Sequence, residues 1–444
     1  MSRPLTSAEH LARLVPGSVL ATRAATRRSF LRATALTGAA VATPALLAGC
    51  GGDSGGGGGG GVSFGSNEIG DIVAEQRQAM AAGFTEASGT AVELNEVDHN
   101  TFQENINTYL QGNPDDVFSW FAGDRMRFFA DQGLIGDVSS IYPIQGIAES
   151  FQEAATGNDG NQYFVPQAYY PWAVFYRKSV FAERGYAVPA TYDELVALCQ
   201  RMQADSLIPI AFGDADGWPA MGTFDMLNMR INGFDFHIEL MQGEASWDSP
   251  EVRSVFDTWR ELLPYHQPDA LGRTWQEAAQ TLQQRTSGMY VLGTFINEQF
   301  PDDEDDLDFF TFPEIDPAIG ADAIDAPIDG FCMAADPSDE EAALAFLEYL
   351  ASPEAAAAAG TTGLPIIPAN SEADTSKLSA LQQKSVELVS QAKSIAQFLD
   401  RDTRPDVAST VILPSLQEFI RNPDGVDSLV KDIESQARSI FEQG

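Results

Sequence analysis

The sequence predicts an α/β protein of two lobes, each a mostly parallel sheet with flanking helices. Three observations carry this. From Val62 onward, apolar segments of strand length alternate with amphipathic helical segments, the rhythm of parallel sheets covered by helices. The same alternation returns after Thr191. Finally, removing a 49-residue leader from 444 residues leaves 395, more than one simple core holds.

The elements follow in order. "GDIVAEQRQAMAAGFTEASG" reads as a helix with Ile72, Val73, Met80 and Phe84 toward a core and Gly89 near its stop. "AVELNEV" is the next strand, and "FQENINTYLQG" a helix ended by Gly112. "DVFSWFAG" is a strand running into a loop, and "DRMRFFADQG" a short helix with Gly133 past its end. Thr191 and Glu194 form a capping box opening "TYDELVALCQRM", where Leu195, Leu198, Cys199 and Met202 share one face. "LIPIAFG" is a buried strand, Ser338 and Glu341 make a second capping box, and the last helix puts Leu429, Ile433, Ala437 and Ile440 on one face. No shift in composition marks a linker, so the chain is expected to cross between lobes in ordered segments. These lie near "PQAYYPWAVFY", "APIDGFCM" and "QQRTSGMYVLG".

The leader has its own logic. In "TRRSFLRATALTGAAVATPALLAGCGGDSGGGGGGG", Arg27 and Arg28 precede an apolar stretch, Ala33 to Leu47, of signal-peptide length and too short for a spanning helix. Ala48 and Gly49 are small enough for cleavage, and the glycine run is a flexible coil. Leu47, Ala48, Gly49 and Cys50 resemble a bacterial lipobox, and Thr26 to Leu31 resembles a twin-arginine export signal. The resemblance implies lipidation of Cys50, a location outside the cytoplasm on the cell membrane, and attachment through that anchor alone. No later segment reaches 18 apolar residues.

The net charge is −38, and residues 1–49 hold six of the 26 basic residues and one of the 64 acidic ones. The remainder carries 20 basic and 63 acidic residues, a net −43. Such a surface repels nucleic acid and anionic lipid. Cys199 and Cys332 are expected as buried thiols, with a disulfide between them as the alternative. His99, His237 and His266 are scattered without metal-ligand spacing, so no metal or cofactor is expected. No G-x-S-x-G, P-loop or strand-linked G-x-G-x-x-G is present. Carboxylate pairs are too abundant in so acidic a chain to indicate a glycosidase.

Aromatic residues beside polar ones carry the functional signal. Trp120 closes a strand, Tyr169, Tyr170 and Trp172 crowd "AYYPW", Trp218 sits in the turn-rich "GDADGWPA", and Trp275 opens a helix. "FLDRDTRPD" supplies Asp400, Arg401, Asp402 and Arg404. A pyranose stacks its C–H face on an aromatic plane and offers a hydroxyl rim to bidentate Asp, Asn and Arg. Trp247 and Trp259 read as core.

The order of "DVFSWFAGDR", "YYPWAVFYRKSVFAERG", "TYDEL", "GMYVLGTF", "FFTFPEID" and "IDGFCMAADPSDEEAALAFLEYLASPEAAAAAG" is similar to that in extracellular solute-binding proteins of carbohydrate ABC importers, the maltose-binding-protein type. The resemblance implies a two-lobed periplasmic-binding-protein fold (type II) with a hinged cleft. It divides the chain into a leader (1–49), a tether (50–61), a first lobe (62–168 and 288–328) and a second (169–287 and 329–444). By position it implies cleft roles for Trp120, Arg125, Trp172, Trp218, Gly293 and Asp329, and through the charged segment for Arg401 and Asp402. Tyr170, Thr223, Asp225, Asn228 and Trp275 join as further candidates, and the loop "SNEIGD" adds Glu68. The implied partners are a mono- or oligosaccharide and the permease of an ABC transporter, with the protein a monomer and no enzyme. The rivals are a receptor for another solute, such as a polyamine or ferric iron, and a secreted glycosidase.

Overall fold

The computed structural model describes residues 61–68, 72–362 and 367–443. The leader, Cys50 and nearly all of the tether lie outside the described residues. The strands are β1 (Val62–Ser66), β2 (Val92–Glu96), β3 (Val117–Phe121), β4 (Val165–Tyr169), β5 (Trp172–Arg177), β6 (Ile208–Ala211), β7 (Ser287–Gly293), β8 (Leu307–Phe310), β9 (Ala323–Asp325), β10 (Ile328–Met333) and β11 (Ser394–Ala396). One sheet runs β2-β1-β3-β10-β4, a second β6-β7-β5-β8, and β9 pairs with β11 alone.

The α/β two-lobed class holds, but the sheets are mixed. β1 runs parallel to β2 and β3, whereas β10 is antiparallel to both β3 and β4. In the second sheet only β6 and β7 are parallel, and β5 opposes β7 and β8. The late strand β10 returns to the first sheet from the far lobe and enters against its neighbours, so the alternation of elements did not reveal its direction.

The lobe boundaries need correction for the same reason. The stretch 288–328, expected in the first lobe, contributes β7 and β8 to the second sheet. The stretch from 329, expected in the second lobe, begins with β10 and continues into the helices Glu340–Leu350 and Pro353–Ala359, whose Phe346, Leu347 and Ala355 pack into the first core. The crossing at "QQRTSGMYVLG" is therefore absent, since β7 stays within the second lobe. The chain crosses at Tyr170–Pro171 between β4 and β5, again between β8 and β10, and a third time between the helix ending at Ala359 and the helix Ala380–Gln391, which packs on β8. β9, within the second crossing, pairs with β11, which follows the helix Ala380–Gln391.

Local chemistry explains the elements that carry the site. In helix His99–Gln111, Asp98 accepts the Thr101 N–H at 3.0 Å as the cap, and Phe102, Ile106 and Leu110 recur four apart on the buried face. The Thr191–Glu194 capping box forms as read. The second one does not. Asp116 takes the Ser338 N–H at 2.6 Å and its hydroxyl at 3.1 Å, so Asp339 caps the helix instead, through Ala342 N–H at 3.1 Å. Cys199 and Cys332 are both buried free thiols, one in each core. Among the described residues no helix is long and apolar enough to cross a membrane.

Trp259 packs at 5.2 Å from Phe419 with none of its surface exposed. Trp259→Ala is predicted to cost about 3–5 kcal/mol of folding stability and to leave solute binding intact. Urea melts test this, and a loss under about 1 kcal/mol would remove Trp259 from the core.

Candidate functional site

A cleft of about 460 Å³ opens where the two sheets meet, within the size range of small-ligand sites. Strand ends and helix starts line it, and its two sides differ in chemistry.

The second lobe supplies an aromatic wall. Tyr170 follows β4, Trp218 starts helix Trp218–Ile231, Trp275 starts helix Trp275–Gln283, and Phe295 follows β7. Phe295 is the hub, 5.2 Å from Tyr170, 5.9 Å from Trp218 and 5.2 Å from Trp275. All four rings are half-buried, which leaves ring surface toward the cleft. Behind them Trp172, only 2% exposed, stacks on Phe398 at 4.9 Å. Trp218 is thus the first helical residue after the "GDADG" turn, not a loop residue. Asp214 in that turn caps its helix, accepting Ala220 N–H at 2.8 Å.

The first lobe and the segment Phe398–Asp402 supply a polar floor. Arg401 donates to the Tyr170 hydroxyl at 2.7 Å and to the Ile328 carbonyl at 3.3 Å, and lies 2.9 Å from Asp329 Oδ1. The Asp329 contact is an ion pair out of line for a hydrogen bond, so Oδ1 has no hydrogen-bond partner. Arg125 donates to Gln103 Oε1 at 2.7 Å and pairs with Asp400 Oδ2 at 2.9 Å. The guanidinium of Arg125 lies over Trp120 at 4.9 Å and over Phe121 at 4.8 Å, and that of Arg401 over Phe121 at 4.2 Å. Burial pulls the Arg125 guanidinium below its ordinary value; for Arg401 burial acts the same way but Tyr170, Asp329 and Asp400 outweigh it. Burial raises the Tyr170 hydroxyl well above the usual phenol range.

Two features of the backbone place these groups. A β-bulge falls between Asp329 and Gly330 on β10, a device that re-aims side chains beside sites. Gly330 has no alternative, since a Cβ there would lie 2.0 Å from the Val165 carbonyl. Gly123, at φ 79°, caps the helix bearing Arg125 and lets the Arg401 backbone pass within reach.

Of the residues expected in the site, Glu68, Trp120, Arg125, Tyr170, Trp172, Trp218, Trp275, Asp329 and Arg401 line the cleft. Trp120 is only 1% exposed and its indole N–H is held by the Arg125 carbonyl at 3.2 Å, so it supports Arg125 from behind. Gly293 pairs with Trp172 in the β5–β7 ladder and does not line the cleft. Asp225, Thr223 and Asn228 lie in the interior, because every residue from Pro219 to Arg230 of their helix is buried. Asp225 Oδ2 instead holds the Leu399 N–H at 2.7 Å, and burial with neighbouring Asp325 raises its carboxyl well above the usual range. Asp402 turns inward to the Gln397 N–H at 2.8 Å. The sequence reading missed Asp98, His99, Gln103 and Phe295 as cleft residues, and named Asp400 only as part of its charged segment. His99 and Phe295 follow strand ends, the rule that had selected Trp120, so that signal was there to use.

The chain matches the model of a family described as bacterial extracellular solute-binding protein over residues 79–385. An uncharacterized ABC transporter extracellular-binding protein of Pyrococcus horikoshii is 24% identical over 55% of this chain and 56% of its own. The osmoprotective compounds-binding protein GgtB of Synechocystis is 25% identical over 81% and 90%. The chain spans about half the length of the Pyrococcus relatives it matches. Among solved structures, the bacterial solute receptor AcbH, with exclusive substrate preference for β-D-galactopyranose, is 42% identical, with a TM-score of 0.84 over 86% of this chain and 100% of that one.

Asp214 is buried, and burial, aided by Asp216, raises its carboxyl to about 7. Because the folded value is raised above 3.8, the stability it contributes is full below about pH 4 and is lost as pH rises through about 7. Asp214→Asn keeps an oxygen for Ala220 and cannot ionise. The variant should gain melting temperature relative to wild type between about pH 5 and pH 8. A difference independent of pH refutes the assignment.

Proposed function

The chain belongs to the bacterial extracellular solute-binding proteins, and from that premise we propose that it is a receptor, not an enzyme, that holds a pyranose sugar in this cleft and delivers it to an ABC importer. The observation that carries the reading is the pairing of an aromatic wall on the second lobe with an arginine–carboxylate floor built by the first lobe and the segment Phe398–Asp402. The wall offers Trp218, Trp275, Phe295 and Tyr170 to a ring face, and the floor offers Asp329, Asp400, Arg125 and Arg401 to a hydroxyl rim.

The charge pattern supports a neutral ligand. Asp329 faces Arg401 and Asp400 faces Arg125, so an anion must compete with built-in carboxylates and a polyamine with built-in guanidinium groups. Asp329 keeps 31% of its side chain exposed and Asp400 17%, so each carboxylate retains surface that a polyhydroxylated ring can pair. The likeness to AcbH at 42% identity favours a monosaccharide of the galactopyranose kind over a long oligosaccharide.

Since both lobes contribute, the ligand stabilises the closed arrangement through contacts that only closure completes, and the permease reads that state. Within this proposal the chain acts as a monomer outside the cytoplasm, exported by its twin-arginine signal and anchored through lipidated Cys50. Two acyl chains suffice for stable attachment, so Cys50→Ala is predicted to release the protein from the membrane fraction. Unchanged sedimentation of that variant with membranes rejects the anchor.

A thermal-shift screen of mono- and oligosaccharides, followed by calorimetric titration, tests the main reading. D-galactose should raise the melting temperature, and Trp218→Ala should weaken its binding by about 1–3 kcal/mol, the range of aromatic stacking platforms. If no sugar shifts the melt and spermidine does, the receptor serves another solute class.

A further inference from the structure

His99 is the first residue of helix His99–Gln111 and lines the cleft, with 40% of its side chain exposed. Its Nδ1 lies 3.2 Å from Glu68 Oε1 and 3.3 Å from Asn67 Nδ2. A carboxylate at that distance calls for a proton on Nδ1, which leaves no lone pair there for the Asn67 amide N–H, so the Asn67 approach is a contact and not a hydrogen bond. The ring's polar contacts to Glu68 and Asn67 thus both fall at Nδ1. The other nitrogen is oriented by the Glu68 contact and remains available to a ligand.

We propose that His99 is a solute-contacting residue whose Nε2 takes a hydroxyl of the bound sugar, with Glu68 as its positioning partner, and that its protonation strengthens the contact. The inference rests on the sugar reading above and adds a proton linkage to it. In the neutral ring Nε2 accepts from the hydroxyl. In the cation it donates, as a charge-assisted bond that is the stronger of the two.

The surroundings favour the cation. Glu68 comes from the end of β1, Asp98 is the neighbouring cap, and Asp329 comes from β10. From the second lobe Asp216 is within electrostatic reach, as it is of Asp98 and Glu104. Arg401 and the positive end of the helix oppose. Burial pulls the ring toward neutrality, but Glu68 and Asp329 outweigh it and hold the imidazole above its ordinary value. The cationic ring also answers Asp216 across the cleft mouth, where that carboxylate otherwise meets Asp98 and Glu104 of the same sign.

Because the raised state is the protonated one, affinity is highest at acid pH and falls as pH rises through the His99 titration. Titration calorimetry of the full-length protein with D-galactose from about pH 5.5 to 8.5, in buffers of different ionisation heat, reads both affinity and proton uptake. The dissociation constant should rise about tenfold across that range, the ratio expected between a charge-assisted and a neutral hydrogen bond. Proton uptake should accompany binding near neutrality. His99→Gln should bind more weakly and lose that part of the profile, leaving whatever Asp214 adds from behind the Trp218 helix. Glu68→Gln keeps an acceptor for Nδ1 but removes the charge, and should move the transition to lower pH. Identical profiles for wild type and His99→Gln overturn the proton linkage while leaving the sugar reading in place. Binding of no sugar by wild type at any pH removes the sugar reading, and this inference with it.

Discussion

The site depends on one strained stretch of backbone, the segment from Phe398 to Asp402. Phe398 adopts φ 96°, a conformation rare for a bulky side chain and costing on the order of 1–3 kcal/mol. The stack on Trp172 and the Asp225 bond to the Leu399 N–H hold it there. The kink lets one short segment serve both lobes. It is rooted in the second through Trp172 and Asp225, and it presents Asp400 to Arg125 and Arg401 to Asp329 in the first. Without it the floor would lose half of each ion pair, and the arginine left behind would be a buried unmatched charge, a state costing about 3–5 kcal/mol.

That arrangement also sets what the cleft can recognise. Arg401 is 7% exposed on its side chain and Arg125 11%, so both are largely desolvated before any ligand arrives. Guanidinium groups held in this way keep their planar forks oriented, and their direction is part of the fold. The ligand therefore meets directed donors and acceptors at little ordering cost, which is how affinity for a small, heavily hydrated molecule is gained. The aromatic wall works on the same terms, because its rings brace one another around Phe295.

Much of this was legible in the sequence, and the misreadings have physical causes. Helix His99–Gln111 and the Thr191 capping box follow from local pattern alone, and the tryptophans of the wall follow from their place near turns and helix starts. The Ser338 cap failed because Asp116, more than 200 residues earlier, engages that serine, and no local rule sees such a partner. Asp225 was placed in the cleft only by its position in the family's order, whereas its helix is buried on all sides. The lobe boundaries failed because β10 belongs to a sheet begun by Val62, and strand partnership over such a distance leaves no trace in hydrophobic periodicity.

The return of β10 has a consequence for the order in which the molecule is made. β3, paired with β1 on one side, finds its second partner only when Asp329 comes to lie opposite Phe121. Until then the three parallel strands at the start of the chain hold an open edge, and the whole of the second sheet, complete at Phe310, emerges from the ribosome first. The lobe that begins the sequence is thus the one whose sheet closes last. Its completion waits on a long-range pairing, the slow kind of folding step, and an unpaired strand edge is exposed for that interval. The second lobe, whose sheet is made first, still waits for Phe419, Val430 and Ile433 of the C-terminal helices to fill its core.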